Sequence, residues 1–351
     1  MRSRHTSSDG RTVPASRVSP LQLLRSFEPG DEAAILRAHG RVFAKVDPTF
    51  QPKDAEAWRW KFQQCPAGSK IALAIGADGE VQGQYAGLRQ LVRTADGPVS
   101  FAQAVDSFSI APVLGGLSHA SAFVRAGEFF ANSFCGAADG LEHVVWGLAI
   151  PAVWRIGFSR LGYEHVRTVN ALTARLSELS NLPVDGMTLE ESAHCPADLA
   201  ALYDSVATER GASAVRDAEW MNWRFGAPGS GRYRFGSARQ GGQLRGLCVF
   251  RLGSFAGQSG GLICDWIVPQ ADDLARQSLF GWLRAQTQAS GATQLIALFA
   301  DTAPEWVEFQ QAGFRVVPTE YILAARCFRA PFDRDYLFWR WHYTLADTDL
   351  V

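Results

Sequence analysis

An internal repeat constrains the fold of this 351-residue chain more than any other feature of its sequence. Three landmarks return in the same order and at slowly decreasing spacing: Trp60–Phe62 as Trp223–Phe225, Asp106 as Asp265, and Gly162–Tyr163 as Gly313–Phe314. The surrounding segments also match, because each copy has a strand–helix opening, a glycine-joined hairpin and two later strand–helix pairs. A duplicated domain with a few deletions leaves this pattern. The sequence therefore predicts two units of element order β-α-β-β-β-α-β-α-β.

The repeat also divides the chain. Residues 1–20 are rich in serine and arginine, which predicts a disordered segment, and no apolar stretch follows that would make it a secretory signal. The first unit is predicted over 21–172, a linker over 173–184 and the second unit over 185–330. Residues 331–351 hold aromatic side chains and carboxylates within a short span, so we expect this tail to dock on the rest of the chain.

Composition excludes several classes of protein. Lys and Arg number 34 against 35 Asp and Glu, a balance that gives no bulk attraction to nucleic acid. The six cysteines are scattered and none has the spacing of a zinc ligand, so we expect no metal site and buried free thiols. No apolar run reaches the ~18 residues that a transmembrane helix requires. A cytoplasmic protein is expected, and the oligomeric state is left open.

The stretch Phe101–Phe134 predicts a strand, a glycine turn and a helix. An apolar run containing β-branched Val105 leads to Pro112 and to the Gly115–Gly116 pair, and about four turns of small and apolar residues follow. The first N–H groups of such a helix lack partners within the helix, and a phosphate or pyrophosphate can bind them. The alternative is that the glycine pair makes only a tight connection between strand and helix.

The element order, present twice, resembles the GCN5-related N-acetyltransferase (GNAT) superfamily. LRSFEPGDEAAILRAHGRVF is similar to the opening strand and helix of that family, and the turn at Pro112–Ser118 stands where the family has its pyrophosphate loop. Leu161–Gly162–Tyr163 and Ala312–Gly313–Phe314 resemble its LGF/LGY corner. The resemblance covers most of residues 21–330 and implies an α/β fold with a mixed sheet in each of two tandem GNAT-like domains.

The resemblance also implies acetyl-CoA or another acyl-CoA as co-substrate. The residues that match the binding strand end and loop of the family are Phe108, Ile110, Leu114, Gly115, Gly116, Leu117, Ser118 and His119. The loop departs from the family pattern, because Gly115 stands at the position of its arginine or glutamine. In the second unit the turn has no glycine, and Asp272 and Asp273 there would repel a pyrophosphate. If either unit binds acyl-CoA, the resemblance therefore favours the first.

Acyl transfer to an amine needs a group that orients or deprotonates the amine and a group that protonates the leaving thiolate. Asp106, at the end of a strand, and Tyr85, within a hairpin, are the candidates; a strand-end carboxylate and a packed aromatic are the alternatives. For acceptor binding the candidates are Trp60, Trp223, Asp265 and Trp341. Core packing of the tryptophans and a structural role for Asp265 remain open.

These features together predict an N-acyltransferase that uses acyl-CoA and modifies an amine on a small molecule, held between the two units. The tail WRWHYTLADTDLV resembles that of tandem GNAT-like proteins encoded with polysaccharide or cell-envelope genes, which implies a sugar or envelope precursor as acceptor. One alternative is a catalytically inactive GNAT-fold binding protein for a glycan or a protein. Another is an aminoacyltransferase like the FemABX proteins, although the sequence shows neither an inserted helical arm nor a basic groove.

Overall fold

The structure is a computed structural model that describes residues 21–46, 50–110, 121–179, 186–228 and 232–350. Within these ranges the chain forms one mixed sheet of 14 strands with nine α-helices packed around it. The predicted mixed α/β class is confirmed. We call residues 21–175 the first half and residues 186–350 the second half.

The first half contains six strands and four helices. They are β1 (Leu21–Ser26), α1 (Glu32–Val46), α2 (Ala55–Phe62), β2 (Ser69–Gly76), β3 (Val81–Thr94), β4 (Gly97–Ser109), α3 (Ala122–Phe134), β5 (Val144–Ala149), α4 (Pro151–Arg160) and β6 (Glu164–Arg175).

The second half repeats this order and adds a C-terminal segment. Its elements are β7 (Thr188–Ser192), α5 (Leu199–Ala207), β8 (Ala212–Ala214), α6 (Ala218–Phe225), β9 (Arg234–Gln240), β10 (Gln243–Phe255), β11 (Gln258–Ile267), α7 (Asp273–Ala289), β12 (Gln294–Ala297), α8 (Pro304–Gln311), β13 (Arg315–Cys327), α9 (Arg334–Arg340) and β14 (Trp341–His342), followed by a 3₁₀ helix (Leu345–Asp347).

The two halves share the centre of the sheet. Its strand order is β1-β2-β3-β4-β5-β13-β6-β12-β11-β10-β9-β7, so β13 of the second half lies between β5 and β6 of the first. In turn, β6 lies between β13 and β12, and all three central pairings are antiparallel. Each half therefore supplies its last strand to the other. β6 continues to Arg175, beyond the predicted boundary at residue 172; the division into units stays a prediction.

The helix after each opening helix starts in the same way in both halves. Asp54 accepts a hydrogen bond from the backbone N–H of Ala57 at the start of α2, and Asp217 accepts one from Trp220 at the start of α6. A carboxylate at this position satisfies one N–H that has no partner inside the helix. The residue before each cap, Lys53 or Arg216, is thereby held next to the sheet.

The two helices meet through a reciprocal contact of two tryptophans. The indole N–H of Trp60 donates to the carbonyl of Trp223, and the indole N–H of Trp223 donates to the carbonyl of Trp60, both at 2.9 Å. Their rings stack with centroids 5.4 Å apart. The contact relates α2 and α6 by an approximate two-fold axis, as the alternating central strands do.

The C-terminal segment packs into the interior. Residues 341–348 are all buried. Trp341 packs on Phe101 and Trp146, and β14 pairs with β8, which also pairs with β3 of the first half. Burial of an aromatic side chain of this size contributes about 2–3 kcal/mol relative to its exposure. The segment therefore joins both halves.

Candidate functional site

Two neighbouring cavities mark the candidate site. The first-half cleft, of about 210 Å³, lies between the ends of β4 and β5 and is lined by Tyr85, Asp106, α4 and Tyr163. The central cavity, of about 360 Å³, lies between α2, α6, strands β3 and β10, and the C-terminal segment. Asp349 lines both.

The first-half cleft exists because two parallel strands separate. The ladder between β4 and β5 ends at the pair Gln103–Trp146, so the backbones of the residues that follow do not pair with each other. Larger apolar side chains, such as Phe123 and Trp154, line part of the cleft, but five of its lining residues are small: Ala104, Ser107, Gly147, Ala149 and Gly157. Unpaired strand edges next to small side chains leave room for a slender ligand that carries its own amide groups.

Asp106 lies at a bulge in β4, where the strand passes the cleft. The register with β3 shifts so that Asp106 and Ser107 both face the position of Tyr85, and Asp106 has a φ of 43°. A left-handed backbone is uncommon for a residue other than glycine and is often found at functional sites. The side-chain amide of Gln84 donates to the Asp106 carbonyl at 2.9 Å and supports the bulge.

Two lysines hold the Asp106 carboxylate. Lys53 Nζ lies 2.5 Å and Lys61 Nζ 3.0 Å from Asp106 Oδ2, and His39 Nε2 lies 4.0 Å from Oδ1. Burial alone would raise the pKa of Asp106, but Lys61 and Lys53 together hold it well below its usual range. Burial lowers the pKa of His39 to about 4. At neutral pH Asp106 is therefore ionised and His39 is neutral.

The pKa values of the two lysines move in opposite directions. Burial and the neighbouring Lys61 lower the pKa of Lys53. Burial also acts to lower the pKa of Lys61, but Asp106 and Asp349, whose Oδ2 lies 3.2 Å from Lys61 Nζ, outweigh it and raise that pKa. Lys61 therefore links the first-half cleft to the central cavity as a fixed ammonium.

A pair of tyrosines closes the other side of the cleft. The phenol oxygens of Tyr85 and Tyr163 share a short hydrogen bond; Tyr85 is buried and Tyr163 is partly buried. Burial raises the pKa of both phenols above the ordinary value. Both therefore keep their protons at neutral pH, and because one hydroxyl donates to the other, the pair has one phenolic proton left to donate to the cleft.

The counterpart of Asp106 in the second half is closed in. Asp265 accepts hydrogen bonds from Arg216 Nε at 2.8 Å and from the Thr344 hydroxyl at 2.9 Å. Arg216 Nη2 also donates to Asp347 at 2.6 Å. Asp265, Arg216 and Asp347 are each at most 3% exposed, so the C-terminal segment seals this carboxylate from solvent. The structure thus places Asp265 in a buried ion-pair network and not in either cavity.

Aromatic side chains fill the corresponding space between β11 and β12. Their ladder also ends early, at Ile263–Ala297, but Trp266 packs on Phe280 and Phe309, and Phe299 packs on Phe309 as well. Trp266 follows Asp265 directly, as Ser107 follows Asp106. The strands separate in both halves, but only the first half keeps small side chains at the opening.

The other predicted site residues do not form a single site. Phe108 is buried with its ring edge on His39, and Ile110 packs partly against the same cluster. Trp60 and Trp223 line the central cavity, whereas Trp341 is buried in the core, away from both cavities. Leu114, Gly115, Gly116, Leu117, Ser118 and His119 lie outside the described residues, so the predicted pyrophosphate loop stays a prediction.

Sequence reasoning missed Lys53, Lys61 and His39 as neighbours of Asp106. A signal was available for the lysines: Lys53–Asp54 matches Arg216–Asp217 at the same spacing that relates Trp60 to Trp223. A basic residue before a helix cap in both copies indicates a common partner for that charge. His39 gave no such signal, because an isolated histidine on a helix is usually a packing residue.

No group of three or more His, Cys, Asp or Glu side chains within the described residues could hold a metal ion. None of the helices described is long and apolar enough to cross a membrane.

Comparison with known proteins gives structural matches only. No protein-family model matches the sequence, and no curated protein does either. Among solved structures, the chain is similar to a conserved protein of unknown function from Enterococcus faecalis V583, described as a probable N-acyltransferase, with TM-score 0.60 and 13% identity over 87% of this chain and 72% of that one.

The chain is also similar to two further solved structures. A GCN5-related N-acetyltransferase from Anabaena variabilis has TM-score 0.60 and 12% identity over 87% of this chain and 73% of that one. A tandem GNAT protein from the clavulanic acid biosynthesis pathway has TM-score 0.52 and 12% identity over 89% of this chain and all of that one. Identities this low show the fold alone, and that fold is the GNAT fold, shared with a tandem GNAT protein.

Proposed function

We propose that the protein is an N-acyltransferase that uses acyl-CoA, most simply acetyl-CoA, and acylates a primary amine on a small molecule. One observation carries this proposal: the first-half cleft opens between β4 and β5 beside the ionised Asp106, whereas the matching space in the second half is filled. The GNAT fold of the structural matches supports the same reaction class.

The residues of the cleft fit acyl-CoA as a co-substrate. Its pantetheine arm is narrow and carries amides, which suit the unpaired edges of β4 and β5 and the small side chains between them. When bound, acyl-CoA supplies an activated acyl carbon as a thioester. The remaining tasks, holding the amine and moving protons, belong to residues of the chain.

Asp106 is suited to hold the acceptor. As an ionised carboxylate that lines the first-half cleft, it can accept a hydrogen bond from the acceptor amine at Oδ1, because both lysines contact Oδ2. Its low pKa makes it a weak base, so its main contribution is orientation, and the acceptor ammonium loses its proton to water before the amine attacks the thioester carbon. The Tyr85–Tyr163 pair can donate one phenolic proton to the leaving thiolate, and a proton from water then restores the phenol.

The central cavity is the proposed acceptor site. It adjoins Asp106 through Lys61, and its walls include the rings of Trp60, Trp220, Trp223 and Tyr233. Aromatic rings can pack on the apolar face of a sugar. We therefore include an amino sugar, such as a polysaccharide or cell-envelope precursor, among the proposed acceptors.

Calorimetric titration with acetyl-CoA tests the proposal. The wild type should bind, and Ala149→Phe, which gives the first half the residue type that Phe299 places in the second, should not, because the cleft is then filled. Gly281→Leu is the control, since a Cβ added at that position on α7 would lie more than 4 Å from every atom outside the backbone of its own helix and its chain neighbours. Gly116→Glu tests the predicted turn in the same assay.

The titrations with the three proteins distinguish binding in the cleft from no binding there. Binding by wild type and by Gly281→Leu, with loss in Ala149→Phe at an unchanged melting temperature, supports the cleft as the acyl-CoA site. Absence of heat with the wild type, or full affinity in Ala149→Phe, would remove the assignment.

A further inference from the structure

We propose that the central cavity binds an anionic group of the acceptor, a carboxylate or a phosphate, and that Arg251 fixes this group. That the ligand is the acceptor of an acyl group rests on the proposed function. The anion site itself depends only on the cavity. The acceptor would then be an amine that carries a negative charge at its other end.

The charges that line the cavity are unequal. Six basic side chains face it, and Asp349 is its one acidic lining residue among those the structure describes; the six are Lys53, Lys61, Arg89, Arg224, Arg232 and Arg251. A concave surface with this excess of positive charge raises the local concentration of anions.

Four of these six basic side chains already have partners within the protein. Lys53 and Lys61 contact Asp106, and Arg89 Nε lies 2.6 Å from Glu142. Arg224 donates to backbone carbonyls of the C-terminal segment, at 2.8 Å to Ala346. These residues have structural partners, so they alone do not require a ligand.

Arg251 is different. Its side chain comes from β10, is only 8% exposed and packs over the ring of Tyr233 at 5.5 Å from the centroid. Its Nε finds no hydrogen-bond partner, and no carboxylate of the described residues forms an ion pair with it. A largely buried guanidinium that lines a cavity and has no counter-charge favours the binding of an anion there.

Gly253 and the strand register set the surroundings of Arg251. A Cβ placed on Gly253 would lie 2.9 Å from Arg251 Nη2, so the glycine leaves the space that the guanidinium fills. The first half has no equivalent charge. The position that matches Arg251 in the first half is Leu88. Leu88 pairs with Gln103 and Arg251 pairs with Leu262, and Gln103 and Leu262 each precede the aspartate of their half by three residues. The arginine is therefore particular to the second half, although it faces the shared cavity.

The geometry suggests how such an acceptor would lie. Exposed Arg232 also packs against Tyr233, so Arg232 and Arg251 place two guanidinium groups beside one ring. Asp349 lines both cavities, and Asp106 lines the first-half cleft next to it. An anionic group at the two arginines leaves the amine of the same molecule free to reach the carboxylates, where the acyl group would be transferred.

The site can be tested without acyl-CoA. Inorganic phosphate and acetate are titrated at constant ionic strength into the wild type, Arg251→Leu and Arg245→Leu, and binding is followed by the melting temperature. Leucine is the residue at the matching position of the first half. Arg245 lies on the same strand, points to Asp272 and lines neither cavity, so its removal controls for loss of charge.

Saturable stabilisation of the wild type by one of the two anions is expected, and the preferred anion distinguishes phosphate from carboxylate. Arg251→Leu should bind that anion about tenfold to 100-fold more weakly, the loss that follows removal of a charged hydrogen-bond donor. Arg245→Leu should match the wild type. Equal affinity in Arg251→Leu, or no saturable effect of either anion on the wild type, would overturn the anion site.

The result is independent of the acyl-CoA assignment. If acetyl-CoA does not bind while the anion effect depends on Arg251, the proposed function fails and the anion site stands. If acetyl-CoA binds and Arg251→Leu leaves the anion affinity unchanged, the reverse holds. When turnover is measurable, Arg251→Leu should raise KM for glucosamine 6-phosphate more than for glucosamine.

Discussion

The two halves of the protein share a scaffold but differ in the surroundings of the aspartate that each contains. Both place an aspartate where two parallel strands separate, and both put a basic residue next to it from the start of a short helix. In the first half the aspartate borders an open cleft. In the second half the C-terminal segment and a cluster of aromatic rings occupy the corresponding space.

A few positions account for the difference. Ser107 in the first half stands where the second has Trp266, and small Ala149 lines an opening that Phe299 would fill. Asp106 also has a left-handed backbone that Asp265 lacks. The two halves thus share the strand geometry, and side-chain volume determines which of them has an open cavity.

The largest effect we expect concerns the cations next to the two aspartates. Arg216→Met should lower the free energy of unfolding by about 3–5 kcal/mol, because it leaves both Asp265 and Asp347 buried without a counter-charge. Lys53→Met should cost under about 1.5 kcal/mol, since Lys61 still contacts Asp106 and the Lys53 side chain is 30% exposed. Urea denaturation followed by tryptophan fluorescence measures both. Equal costs would contradict the distinction between an open and a sealed aspartate.

The second comparison exchanges each carboxylate for its amide. Asp106→Asn should lower acyl transfer by about 100-fold, because the charge that orients the amine is lost. Asp265→Asn should leave the rate per folded molecule within a few-fold of the wild type. The measurement is thiol release from acetyl-CoA with a panel of primary amines, with circular dichroism as the control for folding. Wild-type turnover in Asp106→Asn would show that this aspartate is structural in both halves.

The smallest effect concerns the contact in which the halves are alike. Trp60→Phe and Trp223→Phe each remove one indole N–H donor from the reciprocal pair, so each should cost about 1 kcal/mol of stability. Trp339→Phe, at a side chain that is 65% exposed, should cost nothing measurable. A clear inequality between Trp60→Phe and Trp223→Phe in urea denaturation would show that the local two-fold symmetry does not extend to energetics.

Much of the fold could be predicted from the sequence because the repeat combines local patterns with long-range order. The Asp78–Gly79 turn predicts the β2–β3 hairpin, which the structure contains with Gly79 at a φ of 77°. The mixed class and the GNAT-like order are confirmed. The alternation of β5, β13, β6 and β12 was beyond reach, since either copy's last strand satisfies the same hydrogen bonds and sequence patterns do not record which neighbour a strand selects.

The site was predicted less completely. Asp106, Tyr85, Trp60 and Trp223 do line cavities, because strand ends and helix starts follow from local pattern. Whether an aspartate is open or sealed depends on residues far away in sequence, such as Thr344 and Asp347, which reach Asp265 only through the tertiary fold. The isolated charge of Arg251 likewise becomes visible only once every neighbouring carboxylate has been placed.

The insertion of β13 between β5 and β6 bears on why a closed second copy persists. That strand completes hydrogen bonds on both neighbours in the first half, so the copy without an open cleft is still required to build the one that has it. Loss of an open cleft between β11 and β12 should therefore be tolerated by selection, whereas Trp223 and Arg251 of the same half, which line the proposed acceptor site, should be retained. Substitutions that disturb the pairing of residues 315–327 should be removed, even though none of the groups that would hold the amine or move protons lies among them.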